Sequence, residues 1–149
     1  MTLIMGDLFN SQAQTLTNTV NCVGAWGRGI ALGFGERYPD MTRDYEARCK
    51  AHKVYPGVPY VYRRKAGPLI LNFPTKDHWR GNSKLAWIEQ GLELLVGHYQ
   101  EWGIESLAIP ALGCNNGRLD WKVVEPLMRR YLDMLDIPVE LYPPLEMPT

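Results

Sequence analysis

The chain has 149 residues, of which 46% are hydrophobic and 21% charged, as expected for one globular domain with a sizeable core. Its 16 basic and 16 acidic side chains cancel, which excludes a general electrostatic attraction to nucleic acid. Three widely spaced cysteines indicate reduced thiols, and the sequence shows neither a signal peptide nor an apolar run of membrane-spanning length. We therefore expect a soluble cytoplasmic domain that contacts no membrane.

Apolar and β-branched runs in the first half of the chain predict strands, and apolar residues at helical spacing predict helices. In chain order the predicted elements are strands at 2–5 and 15–21, helices at 29–38 and 39–53, and strands at 58–64 and 68–75. The last two strands are joined by a short turn at Ala66-Gly67, which favours an antiparallel pair.

The second half of the chain begins with the clearest helix. It runs from Ser83, placed as N-cap, to Trp102, and Gly103 lies just past its end. A buried strand at 106–112, a loop, a helix at 121–135 and a strand at 139–142 follow. Pro126 either marks the true start of that last helix or kinks it. The alternation of strands and helices with one antiparallel pair predicts a mixed sheet between helices.

The first glycine-rich stretch, "NCVGAWGRGIALGF" at 21–34, follows a predicted strand and opens a predicted helix. Backbone N–H groups and a helix N-terminus at such a junction favour an anion, and a phosphate group is the natural occupant. The spacing of Gly27, Gly29 and Gly33 matches the dinucleotide fingerprint only weakly, so we do not predict a nicotinamide dehydrogenase.

A second loop of this kind, "IPALGCNNGRLDW" at 109–121, also lies between a strand and a helix. Glycine and asparagine tolerate left-handed backbone, so the amides of this loop can converge on one point. Two such loops could clamp a diphosphate, although each could also be only a turn.

Four motifs in order resemble the macrodomain, an ADP-ribose-binding α/β/α fold: "GDLF", "TVNCVGAWGRGIA", "FPTK" and "IPALGCNNGRLDW". The likeness is to the branch that contains the DNA ADP-ribosyl glycohydrolase antitoxins (DarG) and the terminal ADP-ribose protein glycohydrolase of animals. It implies a three-layer α/β/α sandwich with a mixed central sheet. Residues 1–149 would then form a single macrodomain cut from a longer antitoxin.

The resemblance also implies a set of ADP-ribose contacts. Asp7 matches the aspartate that hydrogen-bonds the adenine amine, although by itself it could equally be a turn residue. Asn21 matches the asparagine near the distal ribose, and Trp26 either stacks over a ribose or base or anchors its loop. The other implied contacts are Leu8, Thr19, Val20, Gly27, Arg28, Gly29, Ile30, Ala31, Leu112, Gly113, Cys114, Asn115, Asn116, Gly117 and Arg118.

The resemblance assigns the chemistry to Lys76 in "NFPTKDHW", with Thr75 beside it as a sugar or phosphate contact. In this branch a lysine after the strand reaches the distal ribose and is implicated in cleaving its anomeric bond. A neutral amine can attack the anomeric carbon and form a Schiff base with the ring-opened sugar. Without the resemblance, Lys76 would be interpreted as a surface lysine.

One position departs from the animal glycohydrolase. Its second loop carries a catalytic aspartate, and Gly117 stands at that position here. Asp120 could substitute, but it is also well placed as a helix N-cap, which we favour. The departure favours the DNA-directed relatives, in which the lysine is the main catalytic group.

Other polar residues carry weaker predictions. Cys114 has no base near it in sequence, so we expect a packing role. His78 follows Lys76 and could shuttle a proton, but with His52 and His98 it makes no metal site. No metal or cofactor is implied.

Three functions follow. The first is a hydrolase that removes ADP-ribose from thymidine in single-stranded DNA and reverses a DNA ADP-ribosyltransferase toxin of the DarT type. Trp79, Arg80 or Lys84 would then contact the DNA. The second is a hydrolase of protein-linked ADP-ribose or of O-acetyl-ADP-ribose. The third is a non-catalytic module that binds ADP-ribose. Lys76 is the feature that distinguishes the two hydrolases from this module.

Overall fold

The computed structural model describes residues 1–25, 29–114 and 116–144, and a six-stranded sheet forms its centre. The strands are β1 (Thr2–Leu3), β2 (Thr15–Val20), β3 (Tyr60–Tyr62), β4 (Leu69–Pro74), β5 (Leu107–Pro110) and β6 (Val139–Tyr142). Their order across the sheet is β1-β6-β5-β2-β4-β3. The first five strands in this order are parallel, and β3 is antiparallel to β4, as predicted for that pair.

Helices cover both faces of the sheet. They are α1 (Gly29–Arg37), α2 (Pro39–Lys50), α3 (Leu85–His98) and α4 (Trp121–Leu132), and a short 3-10 turn spans Leu8–Asn10.

Two buried clusters show how the layers pack. Ile70 of β4 lies in the cluster with Phe34 of α1 and Tyr45 of α2, whereas its neighbour Leu71 lies in the cluster with α3 and α4. Successive side chains of a strand point to opposite faces, so one strand supplies both cores. This confirms the predicted three-layer sandwich with a mixed sheet.

The helix boundaries test the predicted caps. Helix α3 has Lys84 as its N-cap, so the prediction of Ser83 was wrong. The reason is tertiary: Ser83 is buried, and its backbone N–H donates to the Gly117 carbonyl at 3.0 Å. Asp120 caps α4, since its Oδ1 accepts from the Lys122 N–H at 3.0 Å, and Pro126 lies inside that helix rather than at its start.

The parallel strands end at one edge of the sheet. At this edge the chain leaves β2 toward α1 on one face and leaves β5 toward α4 on the other face. Neighbouring parallel strands whose connections diverge in this way open a crevice at their carboxyl ends, where α/β proteins bind ligands. Within the described ranges, no helix combines the length and apolarity needed to cross a membrane.

Candidate active site

A cleft of about 1010 Å³ occupies the carboxyl edge of the sheet. This volume is at the upper end of the range for small-molecule sites. Its walls come from the segments that follow β1, β2, β4, β5 and β6. The cleft is therefore long and crosses most of the sheet.

Most of the predicted site residues line this cleft. They are Asp7, Leu8, Thr19, Val20, Asn21, Gly29, Ile30, Ala31, Thr75, Lys76, Gly113, Cys114, Asn116, Gly117 and Arg118. Leu112 does not line it, because this side chain is 0% exposed and packs in the core with α3 and α4. The predictions for Trp26, Gly27, Arg28 and Asn115 lie outside the described residues.

The cleft also contains residues that were not predicted. Phe9 lines it with Arg37, whose guanidinium carbon lies 3.9 Å from the centroid of the Phe9 ring. Phe9 belongs to the "GDLF" motif and could have been included, but Arg37 and Tyr142 carry no local signal. The remaining unpredicted lining residues are Gly6, Ala25, Gly81, Pro110, Ala111, Pro143 and Pro144. Of the suggested DNA contacts, Trp79 and Arg80 line the cleft and Lys84 does not.

Asp7 both shapes and lines one end of the cleft. Its Oδ1 accepts from the Phe9 N–H at 3.0 Å and caps the 3-10 turn that begins at Leu8. The turn-forming role is therefore confirmed. Asp7 also lines the cleft, so the predicted contact with adenine stays compatible with this role.

Asn21 organises the start of the first glycine-rich loop. Its Oδ1 accepts from the N–H groups of Val23 at 3.0 Å and Ala25 at 3.2 Å, and its Nδ2 donates to the Ala25 carbonyl at 3.0 Å. The Tyr45 hydroxyl donates to the Asn21 carbonyl at 2.6 Å. Burial raises the pKa of Tyr45 far above its usual range, which keeps this donor protonated.

The two glycine-rich loops meet at Gly29. This residue has φ +62°, and a Cβ on it would lie 3.0 Å from Asn116 Nδ2 of the second loop. Gly29 is also the first residue of α1, whose opening turn lines the cleft. The free N–H groups of that turn and the positive end of the helix dipole make this point favourable for an anion.

The second loop is packed so closely that it admits no side chain at Gly117. A Cβ there would lie 2.2 Å from Ser83 Oγ and 2.4 Å from the carbonyl oxygen of Gly113. The catalytic aspartate of the animal glycohydrolase therefore has no room in this loop. Asp120 does not replace it, because its carboxylate caps α4 and does not line the cleft.

Arg118 follows Gly117 in left-handed backbone with φ +65°. This conformation costs a residue with a side chain about 1 kcal/mol, and such strain concentrates at functional positions. Arg118 is exposed and lines the cleft. The Arg118 cation thus lies in the second loop, and its left-handed backbone lowers the local stability.

Lys76 lies at the far end of the cleft from Asp7, just after β4. Its side chain is half-buried, and Nζ donates to the Trp79 carbonyl at 3.3 Å. Cys22 holds the backbone here: its N–H donates to the Asp77 carbonyl at 3.0 Å and its Sγ–H to the Lys76 carbonyl at 3.3 Å. Burial, with the nearby Asp77 charge, raises the pKa of the Cys22 thiol to about 12, so the donor stays protonated.

The surroundings of Cys114 keep its thiol hydrogen-bonded and protonated. The Cys114 thiol donates to the Leu112 carbonyl at 3.6 Å, and burial with the Asp120 charge raises its pKa to about 12, so it is protonated. The predicted packing role fits this environment. In the part of the chain that the structure describes, no three His, Cys, Asp or Glu side chains form a metal-binding group, and His78 does not line the cleft.

Comparison with known proteins adds a family to this geometry. A family model described as the macro domain matches residues 17–128. A DNA ADP-ribosyl transferase-DNA ADP-ribosyl glycohydrolase fusion protein of Thermosipho africanus is 41% identical and covers 98% of this chain. A DNA ADP-ribosyl glycohydrolase of Mycobacterium tuberculosis is 46% identical and covers 93% of it. The chain spans about two fifths of the length of these curated relatives, 42% and 41%.

Solved structures agree with the sequence matches. Thermosipho africanus DarTG in complex with ADP-ribose matches with a TM-score of 0.94 at 42% identity, over 99% of this chain and 42% of that chain. The macrodomain of Mycobacterium tuberculosis DarG matches with a TM-score of 0.91 at 46% identity, over 96% of this chain and 97% of that chain.

Proposed function

The chain belongs to the macrodomain family, and from that premise we propose that it is a glycohydrolase that removes ADP-ribose from thymidine in single-stranded DNA. The curated relatives named above are DNA ADP-ribosyl glycohydrolases, and one solved relative holds ADP-ribose. These names support the proposal.

The observation that carries the proposal is the order of polar groups along the cleft. The strand order β1-β6-β5-β2-β4 places Asp7 at one end, the second and first glycine-rich loops in the middle, and Lys76 at the other end. The strands β1 and β4 lie four strand spacings apart in the sheet, which is about 19 Å. ADP-ribose has the same order of groups: adenosine, a diphosphate and a second ribose.

The middle of the cleft suits the diphosphate. Gly29 and Asn116 bring the two loops together, and the first turn of α1 presents N–H groups there. Arg118 adds a cation beside the second loop. The net charge of the chain is zero, so this attraction to phosphate is local rather than a property of the whole surface.

Lys76 supplies the chemistry in this proposal. The neutral amine forms a bond to the anomeric carbon while the bond from that carbon to the thymine base breaks, and the leaving base takes up the proton that the amine loses. Ring opening leaves a Schiff base, which water hydrolyses to free ADP-ribose and the amine. No carboxylate is needed at position 117, in keeping with the lack of space there.

Release of ADP-ribose from a thymidine-modified single-stranded oligonucleotide tests the proposal. We expect release by the intact chain, loss of release in Lys76→Ala, and retention in the exposed-lysine control Lys53→Ala. A glutamate-modified peptide serves as the competing substrate. Release from the peptide alone would favour a protein-directed hydrolase. Binding of ADP-ribose with no release from either substrate would leave a binding module and contradict the enzyme.

We also propose an antitoxin role toward a DNA ADP-ribosyltransferase of the DarT type. The fused transferase and glycohydrolase of Thermosipho africanus support this pairing. Both activities would act on DNA in the cytoplasm. Co-expression with such a toxin should restore bacterial growth for the intact chain and for Lys53→Ala but not for Lys76→Ala. Failure of the intact chain to restore growth would contradict the role.

A further inference from the structure

The segment between β4 and α3 is a short loop that is fixed at both ends. Cys22 binds the carbonyls of Lys76 and Asp77 at its start, and the Ser83 N–H donates to the Gly117 carbonyl at its end. Both anchors belong to the glycine-rich loops or to residues that directly adjoin them. The tip of this loop, 77–82, is exposed. Because both ends of the loop are anchored, the tip holds a defined position at the cleft.

The tip presents an ordered aromatic surface. The Gly81 N–H donates to the His78 carbonyl at 2.9 Å, and the Arg80 N–H donates to His78 Nδ1 at 3.1 Å. The rings of His78 and Trp79 stack with centroids 5.7 Å apart, and the Arg80 guanidinium carbon lies 4.6 Å from the Trp79 ring centroid.

Trp79 is nevertheless 46% exposed. A large aromatic side chain that is held in place by its neighbours yet left in solvent is typical of a binding surface rather than of a core. The same segment carries the cations Lys76, Arg80 and Lys84 against one carboxylate, Asp77. It is thus locally positive in a chain whose net charge is zero.

Trp79 and Arg80 line the cleft on the side of Lys76. In the proposed reaction the bond that breaks lies at Lys76, so the thymidine leaves the cleft at this point. The tip of the loop lies on this side of the cleft, so it is placed to contact the nucleotides beside the thymidine in the strand.

We propose that Trp79 stacks against the nucleobase next to the modified thymidine and that Arg80 pairs with a phosphate of the same strand. This inference rests on the proposed function and adds to it a subsite for the unpaired nucleotide beside the modified thymidine. Bases of a duplex already stack on one another, whereas unpaired bases are available to an aromatic side chain. Stacking of this kind tolerates any base, so the subsite would select strandedness rather than sequence.

Fluorescence anisotropy of labelled oligodeoxythymidine of about ten nucleotides tests the subsite without any catalytic step. The intact chain is first saturated with ADP-ribose, so that the oligonucleotide reports only on the region outside that site. We expect Trp79→Ala to weaken binding about tenfold. The exposed aromatic Tyr55 does not line the cleft, so Tyr55→Ala is the matched control and should bind as the intact chain does.

Salt dependence separates stacking from phosphate pairing. Arg80→Ala should lower the slope of log affinity against log salt by about 0.7, whereas Trp79→Ala should leave the slope unchanged. Equal affinities for Trp79→Ala, Tyr55→Ala and the intact chain would overturn the inference. So would a lack of oligonucleotide binding by the intact chain.

Failure of the subsite and failure of the proposed function are distinguished by comparing the enzyme's activity on two substrates. ADP-ribose release is compared between a modified oligonucleotide and modified thymidine alone. A subsite predicts that Trp79→Ala lowers the ratio of kcat/KM for the oligonucleotide to that for the nucleoside. Release from both substrates with an unchanged ratio would refute the subsite and keep the glycohydrolase. Release from neither substrate by the intact chain would refute the glycohydrolase itself.

Discussion

Replacing Gly117 with alanine should lower the free energy of unfolding by about 3 kcal/mol, although glycine-to-alanine changes often stabilise proteins. The added Cβ would lie 2.2 Å from Ser83 Oγ and 2.4 Å from the Gly113 carbonyl oxygen. A side-chain hydroxyl can rotate away, but a backbone carbonyl cannot. Overpacking costs about 1 to 3 kcal/mol, and the rigid backbone contact favours the upper end of that range.

Urea unfolding and calorimetric titration with ADP-ribose measure the two consequences. With a typical slope of about 2 kcal/mol per molar urea, the midpoint should fall by about 1.5 M. Affinity for ADP-ribose should fall as well, since the second loop lines the cleft. Gly117→Asp should lower both the urea midpoint and the ADP-ribose affinity further, because the loop has no room for the introduced carboxylate, which therefore cannot act as a base.

Two controls isolate the steric cause. Gly97 lies in α3 with no atom within 4 Å of an added Cβ, so Gly97→Ala should stabilise the chain by about 1 kcal/mol. Adding Ser83→Ala to Gly117→Ala should recover part of the loss, because the contact with the Gly113 carbonyl persists. A Gly117→Ala chain with unchanged stability and unchanged ADP-ribose affinity would refute the reasoning.

Three further predictions concern the cleft and its thiols. Cys22→Ala should lower kcat for ADP-ribose release more than it raises KM, because the thiol binds the Lys76 carbonyl, and Cys22→Ser should restore much of the rate through its hydroxyl. Arg118→Gly should relieve left-handed strain and raise the free energy of unfolding by up to about 1 kcal/mol, while calorimetry shows weaker ADP-ribose binding. The thiols of Cys22 and Cys114 have pKa values of about 12, against 9.0 ordinarily, so at pH 8 mass spectrometry should show alkylation slowed by about a thousandfold until urea is added. The folded chain keeps these protons when the unfolded chain has lost them, so urea unfolding should show stability falling as pH rises from about 9 to about 12.

Each of these three has a result that would contradict it. Equal rates for Cys22→Ala and the intact chain would remove the thiol from the positioning of Lys76. Undiminished ADP-ribose affinity in Arg118→Gly would show that its strained backbone serves another purpose. Rapid alkylation in the folded state would show that the thiols are not held protonated.

The sequence was most informative where the physical cause is local. Strand and helix periodicity predicted the elements and the antiparallel pair of β3 and β4. Asp120 could be recognised as a cap because capping depends on the two or three residues that follow it. The glycine-rich loops could be placed at strand ends because glycine and asparagine permit the backbone that such loops need.

Predictions failed where a distant contact decides the outcome. Ser83 has the chemistry of an N-cap, but Gly117 binds its N–H and the side chain is buried against the second loop. Leu112 belongs to the loop motif, but the core between the sheet and α3 takes its side chain. A local sequence pattern carries no information about the hydrogen bond to Gly117 or about the core packing of Leu112.

The sequence by itself determined the elements of the fold, the two loops and Lys76 as the candidate catalytic group, since each rests on neighbouring residues or on a motif. Only the tertiary structure decided what completes the cleft. The sheet order sets β1 beside β6, so Asp7 near the start of the chain and Tyr142 near its end line one wall. Arg37 joins them through its contact with Phe9. Side chains so far apart in sequence meet because strand pairing and helix packing bring their backbones together, and no local pattern records that arrangement.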